Sequence, residues 1–189
     1  MHDILDKALN AYEERSALAE TMKPVANSIR IESKFAISLI RRDKRNEASA
    51  ALEKAEEQLK ILEEVSAKSP HLSRLGFYHE ALEEYVEAKV YVSLLTGGKL
   101  IWPANISIEP AVLIGGIADA TGELVRRAIT VADVGTLDEI AGFQHIAEEV
   151  ANKLSNVKMD AKIRKKYDDV ERNVRRLEEI LYDVRMKKK

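Results

Sequence analysis

The 189-residue chain contains no cysteine. Disulfides, thiolate metal sites and cysteine nucleophiles are thereby excluded together. Glycine (8) and proline (4) are sparse, and aromatic residues make up only 5%. This scarcity of turn formers and of strand-favouring side chains leaves helix as the default. Neither charge sign dominates: 30 Lys and Arg stand against 32 Asp and Glu, for a net charge of -2. A globally basic nucleic-acid surface is excluded, so any such surface has to be a local patch. No stretch approaches the roughly 18 apolar residues of a membrane span. The opening "MHDILDKALN" lacks the basic-then-apolar pattern of a leader. A thiol-free chain of this kind is expected in the cytoplasm. P-loop, GxGxxG and GxSxG patterns are missing, and the histidines (His2, His71, His79, His145) have no ligand spacing.

What is present is helical periodicity, in a length that fits one domain over residues 1–189. Residues 3–42 carry Ile4, Leu5, Ala8, Leu9 and Tyr12 early and Ile29, Phe35, Ile37, Leu39 and Ile40 late, with Pro24 expected to kink or interrupt the helix. Residues 45–67 place Ala48, Ala51, Leu52, Ala55, Leu59 and Leu62 in one stripe. "KSPHLSRLG" reads as a turn, with Ser69 before Pro70 as a helix start. The third helix carries "HEALEEYVEAKVYVSLL", His79 to Leu95, and stops at Gly97 and Gly98. A fourth is expected over 109–132 with Pro110 in its first turn. A fifth follows on "TLDEIAGFQHIAEEVANKL" with Thr136 and Glu139 as a capping box, and a sixth runs over about 158–186. The predicted fold is an all-α bundle of six or seven helices.

An acid stripe interrupts this apolar pattern. At helical spacing Glu80, Glu84, Glu87 and Tyr91 fall within roughly 60° of one another. In the fourth helix Leu113, Ile117, Ala120, Leu124, Ala128 and Val131, widened by Ile114, Ala118, Val125 and Ile129, leave a narrow face. Asp119 and Glu123 occupy that face, with Arg126 beside Asp119. Carboxylates converging from two helices repel unless they are protonated, paired with Lys or Arg, or neutralised by a cation. An all-oxygen donor set suits Mg²⁺ or Mn²⁺ better than zinc. A metal held this way acidifies a bound water and stabilises in-line displacement at a phosphodiester. Spacing alone favours a solvated charged face, because 32 acids in one chain make such pairs common and periodicity does not show that two helices meet.

The wording of these stretches goes further. "EYVEA", Glu84 to Ala88, and "GIADATGELVRRA", Gly116 to Ala128, resemble motifs of Trax in the translin/Trax family. "RKKYDDVERNVRRLEEILYDVR", Arg164 to Arg185, resembles the C-terminal helix of translin, and "RIESKFAISLIRR", Arg30 to Arg42, is more weakly similar to Trax. The resemblance spans nearly the whole chain. It implies the translin-type all-α fold, a homo-oligomeric shell that by analogy is an octamer, binding of single-stranded RNA and DNA, and Mg²⁺-dependent endoribonuclease activity. Matched to the motifs, the catalytic acids fall on Glu84, Glu87 and Asp119, with Glu123 as a further metal ligand. The alternative is a single-stranded nucleic-acid binder without chemistry.

One departure concerns nucleic-acid binding. The His and Arg cluster that translin carries before its third helix is reduced here to Arg74 and His79 in "SRLGFYHEALEE". Arg30, Lys34, Arg126 and Arg127 are the substitute candidates for phosphate contact, with ion pairs to nearby Glu as the competing reading. Trp102 is a candidate for base stacking or for packing beneath its loop.

Overall fold

The computed structural model describes residues 2–97, 99–103, 106–132 and 137–187. Among these residues there are six α-helices and no strand. They are α1 (His2–Ile40), α2 (Arg45–Lys68), α3 (Gly76–Thr96), α4 (Pro110–Val131), α5 (Leu137–Ser155) and α6 (Ala161–Lys187), with one 3₁₀ turn, Leu72–Arg74, before α3. The all-α prediction holds. No described helix is long and apolar enough to cross a membrane.

Helix α1 runs through Pro24 without interruption. Proline removes the donor for the carbonyl four residues earlier. Here that residue is Glu20, which like Pro24 is on the exposed side, so water can replace the lost bond. The expected start at Ser69 and Pro70 is corrected: Ser69 closes α2, its N–H reaching the carbonyls of Val65 and Ser66, and α3 begins only at Gly76. Gly97 ends α3 at φ +66°, a left-handed conformation that a side chain disfavours. The other half of that stop signal, Gly98, and the capping Thr136 lie outside the described residues. At α4 the Glu109 carboxylate accepts the Val112 N–H at 3.2 Å, and Pro110 occupies the first turn, where its missing N–H costs nothing. At α6 the cap is Asp160, whose Oδ1 accepts the Ile163 N–H at 2.8 Å.

Helix α3 is the hub. It packs on α1 on one side and α4 on the other, α1 also covers α2, and α4 rests on α5 and α6. Burial of Tyr78, Ala81, Leu82, Tyr85, Val86, Ala88, Tyr91 and Val92 explains its nearly all-round apolar circumference. Its contact with α4 is close because Gly116 has no side chain: a Cβ there would lie 2.5 Å from Val86 Cβ and 2.7 Å from the Glu83 carbonyl oxygen. Towards α2, Tyr85 Oη and Lys89 Nζ both donate to Glu56, at 2.7 and 2.6 Å. The first half of α1 is different in kind. Its buried positions begin only at Met22, while Ile4 and Tyr12 are 72% and 70% exposed and Leu5 and Leu9 are exposed with them.

Candidate active site

Four helices meet around the acid stripe, and each contributes a face at steps of three and four. From α1 come Arg30, Lys34 and Ile37, with Arg41 in the turn just past its end; from α3 Glu80, Glu83, Glu84 and Glu87; from α4 Asp119, Glu123 and Arg126; from α6 Lys162, Lys166, Asp169 and Asn173. Two adjoining cavities lie between them. One, of about 340 Å³, is lined by Lys34, Ile37, Arg41, Glu84, Glu87, Glu123 and Arg126. The other, of about 310 Å³, shares Glu87, Glu123 and Arg126 and adds Asp119, Gly122 and residues of α6. The facing of α3 and α4 that periodicity left open is therefore realised.

The charges are handled one carboxylate at a time. Glu84 takes Lys34 at 2.9 Å, and Glu80, one turn away, takes Arg30 at 3.4 Å. Asp119 Oδ2 accepts from Lys166 Nζ at 2.5 Å, and the same ammonium lies 2.6 Å from Glu83 Oε1. Burial alone pushes the Glu83 carboxyl up, but Lys166 and Lys162 outweigh it and hold the group below the ordinary carboxylate range. For Asp119 burial prevails over Lys166, and its pKa stays raised. Glu123 is the most enclosed, with a side chain 7% exposed. Arg126 Nη1 donates to its Oε1 at 2.8 Å, Arg41 Nε stands 3.4 Å from Oε2, and Oε2 itself accepts no hydrogen bond among the described residues.

Glu87 is the exception. Among the described residues it forms no ion pair and no side-chain hydrogen bond. Burial, together with the negative charges of Asp119, Glu84 and Glu123, pushes its pKa up to about 8. The stripe thus survives in an otherwise apolar helix because its neighbours are paired and its central member holds a proton near neutral pH. Nearby, the buried Tyr91 hydroxyl also lacks a hydrogen-bond partner among the described residues, and burial followed by the Glu123 charge pushes it up to about 12.

This donor set suits a hard divalent cation: every candidate ligand is a carboxylate, one of them has no cationic partner, and another has a buried oxygen without a hydrogen bond. As they stand, no three acidic or histidine side chains among the described residues gather into a ligand cluster. Each pairing cation draws its carboxylate to itself.

The remaining candidates are placed as follows. Lys34 and Arg126 line the cavities, while Arg30 sits at their edge on Glu80. Arg127 does not join them: it faces away, 3.2 Å from Asp43 and 3.5 Å from Glu139. Trp102 packs edge-on against Tyr85, with ring centroids 6.3 Å apart. A larger cavity of about 580 Å³ lies apart from the acids, between α1 and the α2–α3 connection. Arg15, Lys68, His71 and Arg74 line it with Glu14 as its only acid, so its charge suits an anion and not a metal.

A family model of translin matches residues 17–188. The chain belongs to the translin family. Among solved structures, this translin-family protein is similar to AfC3PO in complex with duplex RNA, with a TM-score of 0.84, 24% identity and coverage of 96% of each chain. It matches a second AfC3PO structure with the same score and identity, over 96% of this chain and 97% of that one. Apo-NeC3PO matches with a TM-score of 0.81 and 20% identity over 95% and 96% of the chains. No curated protein matches the chain. At these identities the likeness establishes the translin-type fold.

Sequence reasoning missed Glu83, Lys162 and Lys166 in this translin-family site. Glu83 pairs with α6 while Glu80 and Glu84 beside it pair with α1, so one helix serves two neighbours. The signal on α6, Lys162 to Lys166 to Asp169 to Asn173 at steps of four and three, was hidden because "RKKYDDVERNVRR" is charged all the way round.

Proposed function

We propose that this protein is a divalent-cation-dependent endoribonuclease that cleaves single-stranded RNA within a homo-oligomeric shell. The observation that carries the reading is Glu87: a half-buried carboxyl with no cationic partner among the described residues, at the junction of two cavities and surrounded by Glu84, Asp119 and Glu123. Such an arrangement is costly to fold around and is common where chemistry requires it. Membership of the translin family and the duplex-RNA complex of AfC3PO add support for a nucleic-acid substrate.

Glu84, Glu87, Asp119 and Glu123 would hold Mg²⁺ or Mn²⁺. When bound, the cation supplies charge stabilisation at the phosphoryl oxygens and an acidified water. The chain's own part is electrostatic and positional. Arg126, shared by both cavities and more than half exposed, meets a phosphate at the mouth. Lys34 on α1 and Arg41 just past its end supply the positive wall, and the depth of Glu123 keeps bulk water from the innermost oxygen. The exposed apolar arm of α1 supports assembly with further copies of the chain, by analogy an octamer, and light scattering should give a mass well above the 21.2 kDa protomer.

The test is cleavage of a labelled single-stranded RNA oligonucleotide with Mg²⁺ and with EDTA, beside Glu87→Ala. Metal-dependent cutting that disappears in the variant while RNA binding persists is the expected result; cutting unchanged in the variant refutes the site. The second reading, a single-stranded nucleic-acid binder without chemistry, is favoured by the individual pairing of Glu84, Asp119 and Glu123, and predicts binding with no cutting under any metal.

A further inference from the structure

Helix α6 brings a cation directly onto the acids. Lys166, with a side chain 18% exposed, is the only ion-pair partner of Asp119 among the described residues, and it bridges to Glu83 on α3. Glu83 has a second cation in reserve: Lys162 Nζ lies 3.1 Å from its other oxygen and does not pair with Asp119. The Glu83 carboxylate fits there because residue 115 is glycine, where a Cβ would lie 2.5 Å from Oε1. One turn along α4 from Asp119, Glu123 is held by Arg126 and Arg41, and its buried Oε2 accepts no hydrogen bond among the described residues. The ammonium is a compact charge on a flexible stem, anchored at one contact and replaceable at the other.

We propose that Lys166 is a tethered counter-ion guarding Asp119: it occupies the place a divalent cation must take, and yields it by swinging back onto Glu83. The inference rests on the reading of the acids as a cation site. Without a metal, Lys166 relieves the repulsion among Asp119, Glu83 and their neighbours. With one, it becomes the competitor that sets how much free cation the site requires. Its charge then lies next to the cavity, where it can face a phosphate.

The test is Mn²⁺ titration of the full chain, freed of metal beforehand, with free Mn²⁺ read by electron paramagnetic resonance. Lys166→Gln keeps an N–H donor for Asp119 while dropping the charge, and should bind Mn²⁺ about tenfold more tightly than the unaltered protein. Lys165→Gln, which removes an exposed charge from the same helix next to Lys166, should leave the affinity unchanged. Lys166→Met should melt at a lower temperature without metal, and added Mn²⁺ should raise its melting point more than that of the unaltered protein. If Lys166→Met does not fold, the Gln variant carries the test alone. Equal or weaker binding by Lys166→Gln, where the unaltered protein binds, overturns the proposal. So does equal tightening in Lys165→Gln, which would mean a general field effect and not a guard. No binding by the unaltered protein and none by Lys166→Gln overturns the cation-site reading itself.

Discussion

Replacing Gly116 by alanine tests how tightly α3 and α4 are joined. The new Cβ would lie 2.5 Å from Val86 Cβ, 2.6 Å from Val86 Cγ1 and 2.7 Å from the Glu83 carbonyl oxygen. Carbon atoms in contact settle at about 3.5 to 4.0 Å, so roughly 1 Å of separation must open. No rotamer change relieves the clash, because Val86 Cβ and the Glu83 carbonyl move only with the backbone of α3. Overpacking of this type costs about 1 to 3 kcal/mol. Alanine returns up to about 1 kcal/mol of helix propensity. A net loss of up to about 2 kcal/mol lowers the melting temperature of a chain this size by up to roughly 8 °C. Gly142 is the control: nothing lies within 4 Å of a Cβ there, so Gly142→Ala should be neutral or stabilising. Thermal unfolding followed by far-UV circular dichroism compares the two. A Gly116→Ala protein that melts at or above the Gly142→Ala protein refutes the close approach. Since Glu87 follows Val86 and Asp119 lies three residues beyond Gly116, it would also unsettle the distance between the two acid faces.

Two further outcomes follow from the site and its surroundings. In metal-free protein Glu87 titrates at about 8 when folded and near 4.5 when unfolded. The folded state therefore holds an extra proton across that interval; the stabilisation is complete below pH 4.5 and is lost as pH rises through 8, by at most about 5 kcal/mol. Glu87→Gln should flatten this part of the stability profile in urea melts at successive pH values, and an unchanged slope would show that Glu87 is not protonated in the fold. Asp160→Ala removes the side-chain cap of α6 and should cost about 1 kcal/mol. A loss near zero in urea denaturation would mean that water replaces the cap.

The helices were legible because their apolar residues keep one period for several turns. The stripe Ala48 to Leu62 is buried throughout, and Pro110 stands in the first turn of α4 as read. Ser69 misled because Ser-Pro serves equally as the end of one helix and the start of another. Only the carbonyls of Val65 and Ser66, which receive its N–H, decide the matter. The site was half legible. Acids at steps of three and four on α3 and α4 could be read, but which of them would be paired depended on helices α1 and α6, remote in sequence. Lys34 and Lys166 belong to heavily charged stretches where no pattern separates a cavity-facing lysine from a solvated one. That Glu87 would be the acid without a cation is a property of four helices together.

The exposed first half of α1 has a dynamic consequence. About twenty residues, roughly 30 Å of helix, precede the first buried side chain. A helix of that length held mainly by local propensity and contacts such as the Lys7 to Asp3 ion pair is marginal in water. Its amides should exchange with deuterium in seconds while those of α3 stay protected, and only coverage by another surface would slow them. Exchange in this arm, followed against protein concentration, is therefore a built-in gauge of assembly that needs no label and no substrate.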